Sequence, residues 1–99
     1  MSYQDIQTAH MRLAILLLLA KDSGFDLNEH LLRDLLSTYG HNISRDRLRI
    51  ELAWLEEQNL VKKEDLEGTW VARLNGRGLD VAEGRAVVPG VKRPGPEGF

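Results

Sequence analysis

The chain has 99 residues, 42% hydrophobic and 28% charged, which is enough for one compact core and too few for two independent domains. It contains no cysteine, which excludes disulfides, thiolate metal sites and a cysteine nucleophile and fits a reducing cytoplasm. A formal net charge of −2 excludes a globally basic nucleic-acid binder, so any DNA-contacting surface has to be local.

From the N-terminus, "YQDIQTAHMRLAILLLLAKDSG" repeats apolar residues at helical spacing through Ile6, Ala9, Leu13, Leu16 and Leu17 and ends at Lys21 to Gly24. Its run "LAILLLLA", Leu13 to Ala20, is far shorter than the roughly 20 residues needed to cross a bilayer, so no membrane role is expected. That half is apolar on every side, and one partner face cannot cover it. A second buried contact is needed, and a second subunit could supply it. "FDLNEHLLRDLLSTYG" follows as a second helix, with Asp26 or Asn28 as cap, a leucine stripe at Leu31, Leu32, Leu35 and Leu36, and Gly40 placed for a left-handed stop.

Only His41, Asn42 and Ile43 separate that stop from Ser44, whose hydroxyl can cap a third helix running to about Asn59. Two helices joined by so short a turn make a helix-turn-helix. In the third helix Leu48, Leu52 and Leu55 share the core face. Asp46, Ile50, Ala53 and Glu57 point outward, with Arg47 and Arg49 flanking them. Then "LVKKEDLEGTWVARLNGRG" alternates apolar and polar residues about a turn at Glu67 and Gly68, the pattern of a β-hairpin. "GLDVAEG" can form a short helix, and the stretch after it holds all three prolines. The expected fold is mainly α with a small β-hairpin, a winged helix-turn-helix over residues 1–84, followed by an extended Pro/Gly-containing tail over 85–99.

The segment "SRDRLRIELAWLEEQNLV" resembles the recognition helix and following strand of winged-helix regulators of the ArsR and MarR type, matched at Ser44, Leu48, Leu52, Leu55, Leu60 and Val61. "ARLNGRGLDVAEG" is similar to the end of the wing in such proteins. Together with "GRAVVPGVKRP" it more closely resembles small winged-helix proteins encoded by Mu-like phages and prophages, over roughly Ala9 to Pro94. The resemblance implies a DNA-binding transcriptional regulator in the bacterial host cytoplasm. Two departures stand out. The metal-sensing cysteines of many ArsR proteins are absent, which argues against metal regulation, and Asn59 replaces the glycine common at the third helix's exit, where a left-handed Asn is tolerated.

The DNA-contacting candidates are Ser44, Arg45, Arg47 and Arg49 on the third helix, Lys62 and Lys63 at the wing's base, and Lys92 and Arg93 in the tail. From His41 to Arg49 the three arginines face one acid, Asp46. Double-stranded DNA is the expected partner, read by a homodimer formed through helix one and the C-terminal segment. The wing tip carries Glu64, Asp65 and Glu67, which phosphates would repel, so the wing is not expected to enter a groove. The plainer alternative makes the arginines a solvated helix face, and the overall acidity then favours a module that binds a host or phage protein. Trp54 is expected in the core beneath the hairpin, where Trp70 would meet it, and neither tryptophan is expected among the arginines. Leu52→Ala should be costly and Arg49→Ala nearly neutral. His10, His30 and His41 lack metal-ligand spacing, "GRG" at Gly76 to Gly78 lacks the context of a phosphate loop, and nothing assembles a nucleophile, base and oxyanion hole. No cofactor, metal or enzymatic activity is expected.

Overall fold

A computed structural model describes residues 2–99; Met1, the first residue of the domain expected over 1–84, lies outside them. The element order is α1 (Tyr3–Lys21), β1 (Asp26–Asn28), α2 (Glu29–Thr38), α3 (Arg45–Glu57), β2 (Val61–Leu66), β3 (Thr69–Leu74) and α4 (Gly76–Ala82). This is the layout of a winged helix: three helices, the second and third forming the helix-turn-helix, and a hairpin wing.

Local chemistry sets each boundary. Ser2 and Asp5 form a capping box at the start of α1, while Asn28, Ser44 and Asn75 each accept a backbone N–H at the start of α2, α3 and α4. Between α2 and α3, Gly40 adopts φ +86°, and at the exit of α3 Asn59 adopts φ +60°, the left-handed conformation expected of it. In the wing, Leu66 pairs with Thr69 across a two-residue loop in which Glu67 and Gly68 both have positive φ, the signature of a type I′ hairpin turn.

The sheet has one more strand than the sequence suggested. Asp26 to Asn28 pair antiparallel with Val71 to Arg73, giving the order β1-β3-β2, so Asp26 belongs to a strand and Asn28 alone caps α2. Three residues are too few for a strand period to show beside a strong leucine stripe.

Leu13, Ala14, Ile15, Leu16, Leu18 and Leu19 are all buried, as the all-round apolar run required. Their cover comes from the same chain, since α1 packs against α2, β3 and α4 and is joined by the tail. Residues 85–99 contain no helix or strand, yet the segment is part of the domain's core. Val88 and Val91 are buried, the Lys92 N–H donates to the Ala9 carbonyl at 3.1 Å, and Arg12 Nη1 donates to the Gly90 carbonyl at 3.1 Å. The second contact sought for α1 is therefore met within one chain, while Val87 of the tail stays 61% exposed. No described helix is long and apolar enough to cross a membrane.

Candidate interaction face of helix α3 and the wing

Two buried carboxylates organise this face. Glu29, the first residue of α2, is 1% exposed, and Glu51, on the inner side of α3, is 3% exposed. Glu29 Oε1 accepts from Arg49 Nε at 2.8 Å and from Arg45 Nε at 3.2 Å, and its Oε2 accepts from Arg49 Nη2 at 2.7 Å and from the Trp70 backbone N–H at 2.6 Å. Glu51 accepts from Arg12 Nε at 2.7 Å and from Arg47 Nε at 2.8 Å. A buried carboxylate is tolerable only when paired and hydrogen-bonded, and both are. The hydrogen bonds from Arg49, with those from Trp70 and Arg45, hold the Glu29 carboxyl down at about 2 against the opposing effect of burial.

The arginines of α3 therefore do structural work on both of its flanks. On one flank of α3, Arg45 and Arg49 bind Glu29, and the Nη2 of each donates to the Gly68 carbonyl at 2.7 Å, which ties the wing tip to the first turns of the helix. On the other flank Arg47 binds Glu51 and donates through Nη2 to the Thr8 hydroxyl at 2.9 Å, joining α3 to α1. The bracketing of the helix by arginines follows the sequence reading, and each arginine of the bracket also bonds to partners elsewhere in the chain. Arg49 is accordingly a member of a buried ion pair, and the near-neutral Arg49→Ala expectation gives way to a destabilising one.

The tryptophans differ from expectation as well. Trp54 does not meet Trp70 under the hairpin: it is half-buried on the tail side, with the Arg12 guanidinium 3.7 Å from its ring centre and Gly90 close by. Trp70 lies between Arg49, 4.5 Å from its ring centre, and Lys63 at 4.7 Å. Both indoles thus sit among cations, because each buried carboxylate draws its arginines across the neighbouring ring.

The eight candidate residues fall in separate places. Ser44 is consumed as the α3 cap, accepting from the Arg47 N–H at 3.0 Å. Lys63 pairs with Glu56 at 3.5 Å. Lys62 lies on the outer face of the sheet beside Glu64 and Arg73, away from α3. In the tail, Lys92 meets α1 through its backbone N–H to the Ala9 carbonyl, and its Nζ donates to the Arg93 carbonyl. What α3 turns outward is the ridge Asp46, Ile50, Ala53 and Glu57, with Ile50 63% exposed. Around it Arg45, Arg47, Arg49 and Lys63 are set against Asp46, Glu56, Glu57, Asp65 and Glu67, none of them buried, so base holds no excess over acid on this face.

Sequence reasoning missed Glu29, Glu51, Arg12 and Gly68. Only Glu51 left a signal: it sits among Leu48, Leu52 and Leu55 on the apolar face, four residues after Arg47, and an acid there has to be neutralised.

The chain is 53% identical over 92 residues to protein gp26 of Escherichia phage Mu, an alignment covering 93% of this chain and 95% of that protein. It belongs to the gp26 family. A protein of Haemophilus influenzae strain Rd is a second relative, 44% identical over 80 residues that cover 80% of this chain and 78% of the relative. No family model matches the chain, and no solved structure does.

Proposed function

We propose that this gp26 relative is a non-catalytic interaction module acting in the bacterial host cytoplasm, and that the α3–wing face binds a second protein, of host or phage origin, that is basic around an apolar pocket. The observation that carries the reading is the engagement of Arg45, Arg47 and Arg49 by the buried Glu29 and Glu51, which directs part of each guanidinium inward. Arg49, which holds Glu29 through two hydrogen bonds, cannot turn to a phosphate without stripping that buried carboxylate of its main partner, which is costly. The outward ridge then offers an apolar residue, Ile50, between two acids, Asp46 and Glu57, a poor match to a polyanion and a good one to a basic-rimmed pocket.

A DNA-binding regulator is the second reading. It is favoured by the helix-turn-helix itself and by Arg45 and Arg47, whose side chains keep 44% and 40% of their surface exposed at the start of α3, where a recognition helix meets base edges.

Two measurements separate them. A photo-crosslinking residue placed at position 50, in cells producing the phage, should capture a discrete protein, and Ile50→Asp should abolish function with the fold intact. Titration against host and phage DNA at rising salt should show no specific complex. A specific complex whose affinity falls steeply with salt, and weakens on Arg45→Ala, would overturn the protein-binding reading and restore the regulator.

A further inference from the structure

The leucine stripe of α2 is only half used by the core. Leu32 and Leu36 are fully buried, whereas Leu31 is 45% exposed and Leu35 only partly covered. Leu31 and Leu35 border a groove of about 400 Å³ between α2 and the end of α1, lined also by Leu18, Leu27, Tyr39, Lys21 and Asp22. No residue of α3 or of the wing hairpin lines it, so it is independent of the face assigned above. A short-lived solvent contact with so many apolar atoms in one concavity is unfavourable, and such grooves are where apolar side chains dock.

Beside the groove stands a projection. Phe99 packs on Tyr39 with ring centres 5.0 Å apart and planes inclined by 37°, and it stays 40% exposed. Tyr39 is itself fixed by the hydrogen bond that Lys21 Nζ donates to its hydroxyl at 2.9 Å, and Lys21 stands next to Asp22 on the rim. One surface therefore presents a hollow, a knob, a cation and an anion. A patch holding both halves of a contact is self-complementary, which is the requirement for a two-fold interface in which residue i meets j and j meets i.

We propose that this surface binds a second copy of the chain, the exposed Phe99 ring of each copy, backed by Tyr39, seating in the Leu31–Leu35 groove of the other. The balanced rim gives no preference for a charged partner, and burial of the two knobs supplies the association energy. This places the two-fold contact at the α1–α2 end and leaves Ile50 and the α3 ridge of both copies free for a partner.

Sedimentation equilibrium of the full chain tests it, with circular dichroism as the check on folding. Wild type should dimerise reversibly at micromolar concentration. Leu31→Glu puts a charge into the groove and Phe99→Ala removes the knob. Both positions lie outside the core, and each change should weaken the dimer by about tenfold or more. Mixing the two variants is the sharper experiment. In the mixed pair the intact Phe99 of one copy meets the intact Leu31 groove of the other, so the mixture should associate more tightly than either variant alone. A wild-type chain that stays monomeric at a few hundred micromolar, a dimer indifferent to both substitutions, or a mixture no tighter than its components would each overturn the proposal. A groove filled by a lipid or another protein would give the first of these results.

Discussion

Arg49 grips Glu29 through two parallel hydrogen bonds, Nε to Oε1 at 2.8 Å and Nη2 to Oε2 at 2.7 Å, and through Nη2 it also reaches the Gly68 carbonyl at the wing tip. One guanidinium thus fastens the first turn of α2, the first turns of α3 and the hairpin together. The fork geometry of arginine suits this task, and a lysine ammonium could not reproduce it.

Arg49→Ala should therefore lower the denaturation midpoint clearly, and Arg49→Lys should recover only part of the loss. In a double-mutant cycle the effect of Arg49→Ala should shrink when Glu29 is already Gln, since no buried charge is then left behind. Equal losses in the two backgrounds would mean that the pair contributes nothing. Glu29→Ala alone, which also strips the Trp70 N–H of its acceptor, should cost on the order of 3 kcal/mol.

Acid should loosen the same junction. The Glu29 carboxyl titrates at about 2 in the folded chain against 4.5 in its unperturbed state, so the unfolded chain binds the proton more readily. Its contribution is fully present above pH 4.5 and is lost as pH falls towards 2, on the order of 3 kcal/mol over that window. Urea denaturation across this range should show a flatter acid limb for Glu29→Gln than for wild type.

Leu52→Ala empties a fully buried position on α3 and should cost roughly 2–5 kcal/mol. Ile50→Ala, two residues away on the outward ridge, should change stability by no more than about 0.5 kcal/mol while weakening partner binding. Thermal melts of the two variants check the assignment of the helix faces.

Gly78 should tolerate no side chain. A Cβ there would fall onto the Leu60 carbonyl and lie 2.6 Å from Leu74 Cδ1, so α4 would have to move off the end of the hairpin. Gly78→Ala is expected to cost about 1–3 kcal/mol or more, whereas Gly76→Ala, whose Cβ meets nothing within 4 Å, should be mild.

Arg12→Ala should release the tail. It removes the hydrogen bond to the Gly90 carbonyl, the cation resting on Trp54 and one of the two partners of Glu51. Amide exchange at Val91 and Lys92 should quicken, and Trp54 emission should shift to the red, while exchange in the wing stays unchanged. Faster exchange throughout the molecule would instead mean that Arg12 supports the whole core.

The sequence by itself determined the elements that depend on near neighbours. The cap at Ser44, the left-handed Gly40 and Asn59, the hairpin turn at Glu67 and Gly68 and the apolar face of α3 are all set by chemistry within a few residues, and local pattern exposes them. What only the tertiary structure decided were contacts between residues far apart in the chain. Glu29 meets Arg45 and Arg49 across the helix-turn-helix, Trp70 reaches Glu29 from the wing, Arg12 meets Glu51 and Gly90, and β1 finds β3. An arginine carries the same charge whether it faces water, a phosphate or a buried carboxylate. Its spacing along a helix shows which flank it occupies, and only the fold brings up the partner that determines what the charge is for.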